Sequence, residues 1–146
     1  MQRKIIAEGE RKTWALIFSE GEDPPEGLLQ FAESQGLTAS QFSAIGAFSE
    51  VDLGFFEMER QDYKVIPVRE QVEVLSFIGD ITMGDKGPKV HAHVVLGKKD
   101  GTAWGGHLIK ARVRPTLEVI LTEAPRHLHR RHDPKTGLAL ISTKGD

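Results

Sequence analysis

The segment Val90-His91-Ala92-His93-Val94-Val95-Leu96 ties this chain to a β-sheet: its β-branched residues favour extended backbone, and its histidines stand two residues apart. Strand side chains alternate between faces, so His91 and His93 share one. The stretch from Gly97 to Thr102 then reads as a hairpin turn. A loop of Lys99, Asp100 and Gly101 places the glycine at the left-handed closing position that such loops require. In that register Lys98 faces Thr102, and His93 faces His107 of the Gly105-Gly106-His107 run. Opposed Cβ atoms lie ~4.5–5.5 Å apart. His91 sits diagonal to His107 on the same face, so the three imidazoles can meet at one point. Three histidines with a free fourth position are the ligand set of an open Zn²⁺-type site, and another divalent transition metal suits the same nitrogens. Other registers stay open. A two-residue turn at Asp100-Gly101 shifts the ladder by one residue and turns His107 away, and a bulge at Gly105-Gly106 restores or destroys the convergence. Strand histidines satisfied by hydrogen bonds or solvent are the plain structural alternative.

The chain contains no cysteine, so any metal must be held by histidine, carboxylate and water. That also fits a cytoplasmic location. No apolar stretch is long enough to span a membrane. After Ile5-Ile6 charge returns at Glu8, too early for the core of a signal peptide. At 146 residues the expectation is one domain over residues 1–146. The net charge of −2 argues against a dedicated nucleic-acid binder, because phosphate neutralisation supplies most non-specific affinity. A basic run, Arg126-His127-Leu128-His129-Arg130-Arg131-His132, is read as a solvated segment that could alternatively take phosphate or a second metal.

Around the hairpin the pattern is mostly strands. Residues 5–7 and 13–18 read as two opening strands. A helix follows, with Asp23 as N-cap, Pro24 in the first turn, Leu28, Phe31 and Ala32 on one face, and Gly36 as the left-handed stop. Residues 42–48, 51–56, 63–68, 71–81, 116–122 and 137–141 are strand-like, with Asp133 to Thr136 as a turn. The fold class expected is α+β: a single domain, mainly antiparallel β-sheet, with one main helix near the N-terminus. Apolar residues occupy both parities in Val72-Glu73-Val74-Leu75-Ser76-Phe77-Ile78 and in Leu117-Glu118-Val119-Ile120-Leu121. Such strands want cover on both faces, and one helix cannot provide it, so self-association is expected.

These residues, in this order, resemble the plant-and-prokaryote conserved domain in its stand-alone prokaryotic form. The resemblance is carried by Phe42-Ser43-Ala44-Ile45-Gly46-Ala47-Phe48, by Val72 to Gly79, by the His91/His93 strand, by Asp100-Gly101, by Gly105-Gly106-His107-Leu108 and by the strand around Glu118. It implies a homotrimer; because association tends to create pockets between chains, the metal site is expected at or near the subunit boundary. Its prokaryotic members resemble acetolactate decarboxylase in fold, an enzyme whose metal is held by an HxH pair and a further histidine. That likeness carries over to His91, His93 and His107. The Arg-Gly-Arg-Pro core of the AT-hook found in plant members is absent, and Arg112-Val113-Arg114-Pro115 lacks its glycine.

Glu118, between Leu117 and Val119, is the candidate catalytic carboxylate: it would orient a ligand histidine or move a proton beside the metal, unless it merely faces solvent. For Glu73 the resemblance implies a strand that contributes to contacts between chains. Arg112 and Arg114 could hold an anionic substrate, with surface ion pairing expected for at least one, and Trp104 is the aromatic candidate for a pocket wall. The functional expectation is a trimeric metal-binding domain with a three-histidine open site, acting as an enzyme or binder on a small anionic or oxygenated acid. The alternative is a non-catalytic regulatory module that binds DNA or protein.

Overall fold

The computed structural model describes residues 1–9, 11–124 and 127–143. Among them the chain forms β1 (Gln2–Ala7), β2 (Thr13–Ser19), α1 (Pro24–Gln35), β3 (Ala39–Glu57), β4 (Asp62–Val68), β5 (Val72–Gly84), β6 (Gly87–Gly97), β7 (Ala103–Glu123), β8 (Arg130–His132) and β9 (Ala139–Ile141). Seven strands make one antiparallel sheet in the order β1-β2-β7-β6-β5-β3-β4, with β3 also paired to β7. A short antiparallel hairpin, β8-β9, forms a second, two-stranded sheet. This is the α+β, mostly antiparallel architecture with one early helix. No helix among the described residues is long and apolar enough to cross a membrane.

The helix forms where its caps dictate. Asp23 Oδ1 accepts from the Glu26 amide at 3.2 Å, and Gly36 adopts φ 63° at the other end. Its buried Leu28, Phe31 and Ala32 meet the sheet, with the Phe31 ring edge-on to Trp14 at 5.2 Å. Inside lie the fully buried Phe18, Phe48, Phe77, Leu16, Leu117 and Leu121.

Two expected breaks are absent. Residues 42–48 and 51–56 belong to one long strand, β3, and the hairpin's second arm runs on through Pro115 into the strand around Glu118 as β7. Register slips absorb the bends, between Gly46 and Phe48 and between Phe48 and Glu50 on the β3–β7 ladder. One face of these strands is buried within the chain, and a register slip between Val74 and Ser76 moves the inward positions of β5 from Val72 and Val74 to Phe77 and Ile81. Val72, Val74, Leu117, Val119 and Leu121 point inward, while Leu75, Ile78 and Ile120 remain exposed.

Gly46 sits where β3 meets both neighbours, opposite Val74 on β5 and Leu117 on β7. Its φ is 155°, and a Cβ there would lie 2.3 Å from the Thr116 carbonyl oxygen and 2.7 Å from Leu117 Cα. Both obstacles are backbone and cannot rotate aside. Gly46→Ala is therefore expected to destabilise the fold by roughly 1–3 kcal/mol or more, read as a lower urea midpoint. An unchanged midpoint would mean that the two strands can separate at little cost.

Candidate metal centre

The β6–β7 turn takes the three-residue form. Lys98 N donates to Thr102 O at 2.9 Å, Gly101 N donates to Lys98 O at 2.9 Å, and Gly101 has φ 83°. Asp100 Oδ1 reinforces it by accepting from the Thr102 amide at 3.0 Å and from its hydroxyl at 2.7 Å. The ladder that follows sets His93 directly opposite His107, with no slip at Gly105-Gly106. His91 joins them: one ligand nitrogen from each ring lies within 4.8 Å of the others. Ring centroids are 5.2 Å apart for His91–His93, 5.3 Å for His91–His107 and 5.6 Å for His93–His107.

The electrostatics at His107 and His91 favour the neutral imidazole, which is the ligating form. Burial, then His91 and His93, push the His107 pKa down to about 4. Burial also lowers His91, helped by Arg130 and His93 and opposed by Asp80. Among the described residues His107 Nδ1 is buried with no hydrogen-bond partner. Buried polar nitrogens rarely stay unsatisfied, and a cation would supply what this one lacks. The donor set of three borderline imidazoles fits a divalent transition ion.

The depressed pKa has a stability consequence in the metal-free protein. An unfolded histidine takes its proton near 6.5, whereas folded His107 resists it down to about 4. Between those values the unfolded chain binds more protons, so stability falls as pH falls. The thermal midpoint measured with chelator should be insensitive to His107 above about pH 6.5 and lose its contribution between there and pH 4. His107→Gln should flatten that part of the profile; an equally steep profile would remove His107 as the cause.

Three residues that local pattern did not single out surround the triad. Tyr63 of β4 stacks on His107, centroids 4.6 Å apart and planes at 25°. Asp80 of β5 is the direct cross-strand partner of His91. Arg130 of β8 donates from Nη2 to Asp80 at 2.8 and 2.9 Å, with the same nitrogen 3.2 Å from His91 Nδ1. A cleft of about 660 Å³ opens from His91 and His93, edged by Asp80, Gln41 and Thr122 and floored in part by Ile78 and Ile120.

Other expected participants lie elsewhere. Glu118 is exposed and lines a separate depression with Glu73, Ile45 and Leu75, so within one chain it does not meet the histidines. Arg114 pairs with Glu20 at 3.3 Å, and Arg112 donates to the Gly21 carbonyl at 3.3 Å. Trp104 is no wall of the site. It pairs with Leu96, out of phase with His107, and carries Lys98 Nζ 4.1 Å above its ring. In the basic run Arg126 falls outside the described residues; Arg130, expected in solvent, is buried because Asp80, Thr82 and the Ala139 carbonyl all receive its hydrogen bonds. His129 faces Asp85 at 3.6 Å.

The Plants and Prokaryotes Conserved (PCC) domain matches residues 6–125. A plant- and prokaryote-conserved protein of Pyrococcus horikoshii is 33% identical, with 91% of this chain and 92% of that one covered at a TM-score of 0.84. A metal-containing protein of Archaeoglobus fulgidus is 31% identical over 97% of this chain and 99% of its own, at a TM-score of 0.82. The bifunctional protein GlmU of Synechococcus sp. (strain JA-3-3Ab) is 29% identical over 132 residues, 88% of this chain. The chain spans only 20% of that relative's length. A Staphylococcus aureus protein similar to alpha-acetolactate decarboxylase shares the fold more distantly, at 14% identity, 75% and 51% coverage and a TM-score of 0.52.

Proposed function

Because this chain belongs to the Plants and Prokaryotes Conserved domain family, we propose that it is a homotrimeric metal-binding protein whose three-histidine site admits a small oxygenated acid. The observation that carries this reading is the meeting of three ligand nitrogens within 4.8 Å. The neutrality of His107 and its unpartnered Nδ1 support it, as does likeness to a protein described as metal-containing.

His91, His93 and His107 would hold Zn²⁺ or a related divalent ion, with a coordination position left for water or ligand. Such an ion supplies Lewis acidity and lowers the pKa of bound water to about 7. The chain's own contribution is selection. Asp80, Gln41 and Thr122 line the cleft with hydrogen-bonding groups, and Ile78 and Ile120 give it an apolar side. A short hydroxy- or keto-acid matches that mixture: its oxygens reach the ion and the polar edge while its carbon chain lies on the isoleucines.

The test uses untagged protein purified without chelator. Elemental analysis should find about one divalent metal per chain, and Co²⁺-loaded protein should change its visible spectrum when a short hydroxy- or keto-acid is added. Protein that arrives metal-free and refuses Zn²⁺ and Co²⁺, yet shifts DNA at physiological salt, would replace this reading with the regulatory one.

A further inference from the structure

Taking the metal reading above as given, the surroundings of His91 point to an outer layer built from two distant parts of the chain. Arg130 is 7% exposed. It donates from Nε to Thr82 Oγ1 at 2.9 Å, from Nη1 to the Ala139 carbonyl at 3.0 Å, and from Nη2 to both Asp80 oxygens at 2.8 and 2.9 Å. A buried guanidinium so fully engaged is fixed in place. The segment that delivers it is itself anchored to β5, through the Met83 amide donating to Leu128 O at 2.8 Å and the Met83–His129 bridge. It lies beyond residues 6–125, the span matched by the family.

Nδ1 of His91 lies 3.2 Å from Arg130 Nη2 and 4.0 Å from Asp80 Oδ2. Both partners therefore stand on the Nδ1 edge of the ring. A neutral imidazole has one N–H and one lone pair. While Nδ1 accepts from Arg130, the proton resides on Nε2 and that nitrogen cannot ligate. For Nε2 to bind an ion, the proton must move to Nδ1, where it needs an acceptor. Arg130 cannot accept a hydrogen bond, whereas Asp80 can, after closing a gap of about 1 Å from its present 4.0 Å.

We propose that Asp80 and Arg130 are positioning residues of the metal site: Asp80 accepts the Nδ1 proton of ligating His91, and Arg130, supplied by the β8–β9 hairpin, holds the Asp80 carboxylate beside that ring. The C-terminal hairpin then belongs to the metal centre without contributing a ligand. A carboxylate in this position fixes the tautomer and strengthens the imidazole as a donor.

The experiment measures Zn²⁺ affinity of the untagged chain by chelator competition and records the visible spectrum of the Co²⁺ form. Asp80→Asn should weaken Zn²⁺ binding about 10–100-fold and shift the Co²⁺ bands. Arg130→Met should weaken it by roughly tenfold, with partial rescue in Arg130→Lys. In an Asp80→Asn background the Arg130 substitution should add little, because Arg130 acts through Asp80. Unchanged affinity in Asp80→Asn overturns the proposal, as does an Arg130 effect that is undiminished in the double variant. If Arg130→Met does not fold, Arg130→Lys and Asp80→Asn, each checked by its thermal melt, still decide. Wild-type protein that binds no Zn²⁺ would defeat the metal reading itself; wild-type binding that His91→Ala abolishes and Asp80→Asn leaves untouched would defeat only the role of Asp80.

Discussion

His107→Ala should abolish stoichiometric metal while leaving the sheet folded. His107 is the one ligand supplied by β7, and without it His91 and His93 remain as a two-nitrogen site on a single strand. Loss of an outer partner of a ligand already costs about 10–100-fold in affinity, so loss of a ligand itself should exceed that range. The fold should tolerate the change, because His107 lies on the outward side of the ladder and the core beneath it is built by Val94, Leu96 and Leu108. Some stability follows the lost stacking on Tyr63, whose ring lies 4.6 Å away. Elemental analysis beside a thermal melt separates the two effects. A His107→Ala protein that keeps one metal per chain at unchanged affinity would sink the three-histidine site.

The second large effect concerns assembly. Ile78 is 56% exposed, Ile120 44% and Ile45 62% in the single chain. Ladder pairing puts two of them beside the site: Ile78 is the direct neighbour of His93, Ser43 follows Ile78 across the sheet, and Ile120 follows Ser43, while Ile45 lies in the separate depression with Glu118. Burying one isoleucine side chain contributes about 1.5–3 kcal/mol, and an assembly repeats that gain in every subunit. A glutamate placed there would be desolvated in every copy instead. We therefore expect wild-type protein to scatter light as a trimer, and Ile78→Glu or Ile120→Glu to yield a folded species of 16.2 kDa. Wild-type protein that is already a monomer at micromolar concentration ends the idea. A monomeric variant that binds metal and acid ligands as tightly as wild type would keep the trimer but remove neighbouring chains from the pocket, and with them any role for Glu118 of an adjacent subunit.

The histidine cluster was legible in the sequence because each element that builds it is local. Strand alternation puts His91 and His93 on one face, and Gly101 selects the loop that sets His93 against His107. Helix α1 was legible for the same reason, through Asp23, Pro24 and Gly36. Tyr63, Asp80 and Arg130 were not. Asp80 faces His91 only because of the β5–β6 register, and Tyr63 reaches His107 only because β3 lies between β4 and β7. Arg130 looked solvated among basic neighbours; its burial depends on a return of the chain to β5 from some fifty residues downstream, |i−j| being 50 to Asp80. One signal was available for Asp80. It stands two residues beyond Ile78, an exposed position past the register slip after Val74, where an acidic side chain beside an HxH strand is worth testing as a partner.

The three histidines of the proposed metal site all lie between residues 91 and 107, in one hairpin, whereas the fold is held by pairings between segments far apart in the chain, such as β3 with β7. Chemistry and architecture are thus written in separate parts of the sequence. A lineage can exchange these three side chains, keep every inward one, and retain a well-packed domain without the candidate ion site. The reverse also holds: a hairpin with this spacing of histidines could in principle donate an ion site to another antiparallel sheet. Copies of this domain are therefore expected to divide into ion-binding and ion-free groups without any visible change of shape, and membership is read from positions 91, 93 and 107 rather than from the backbone.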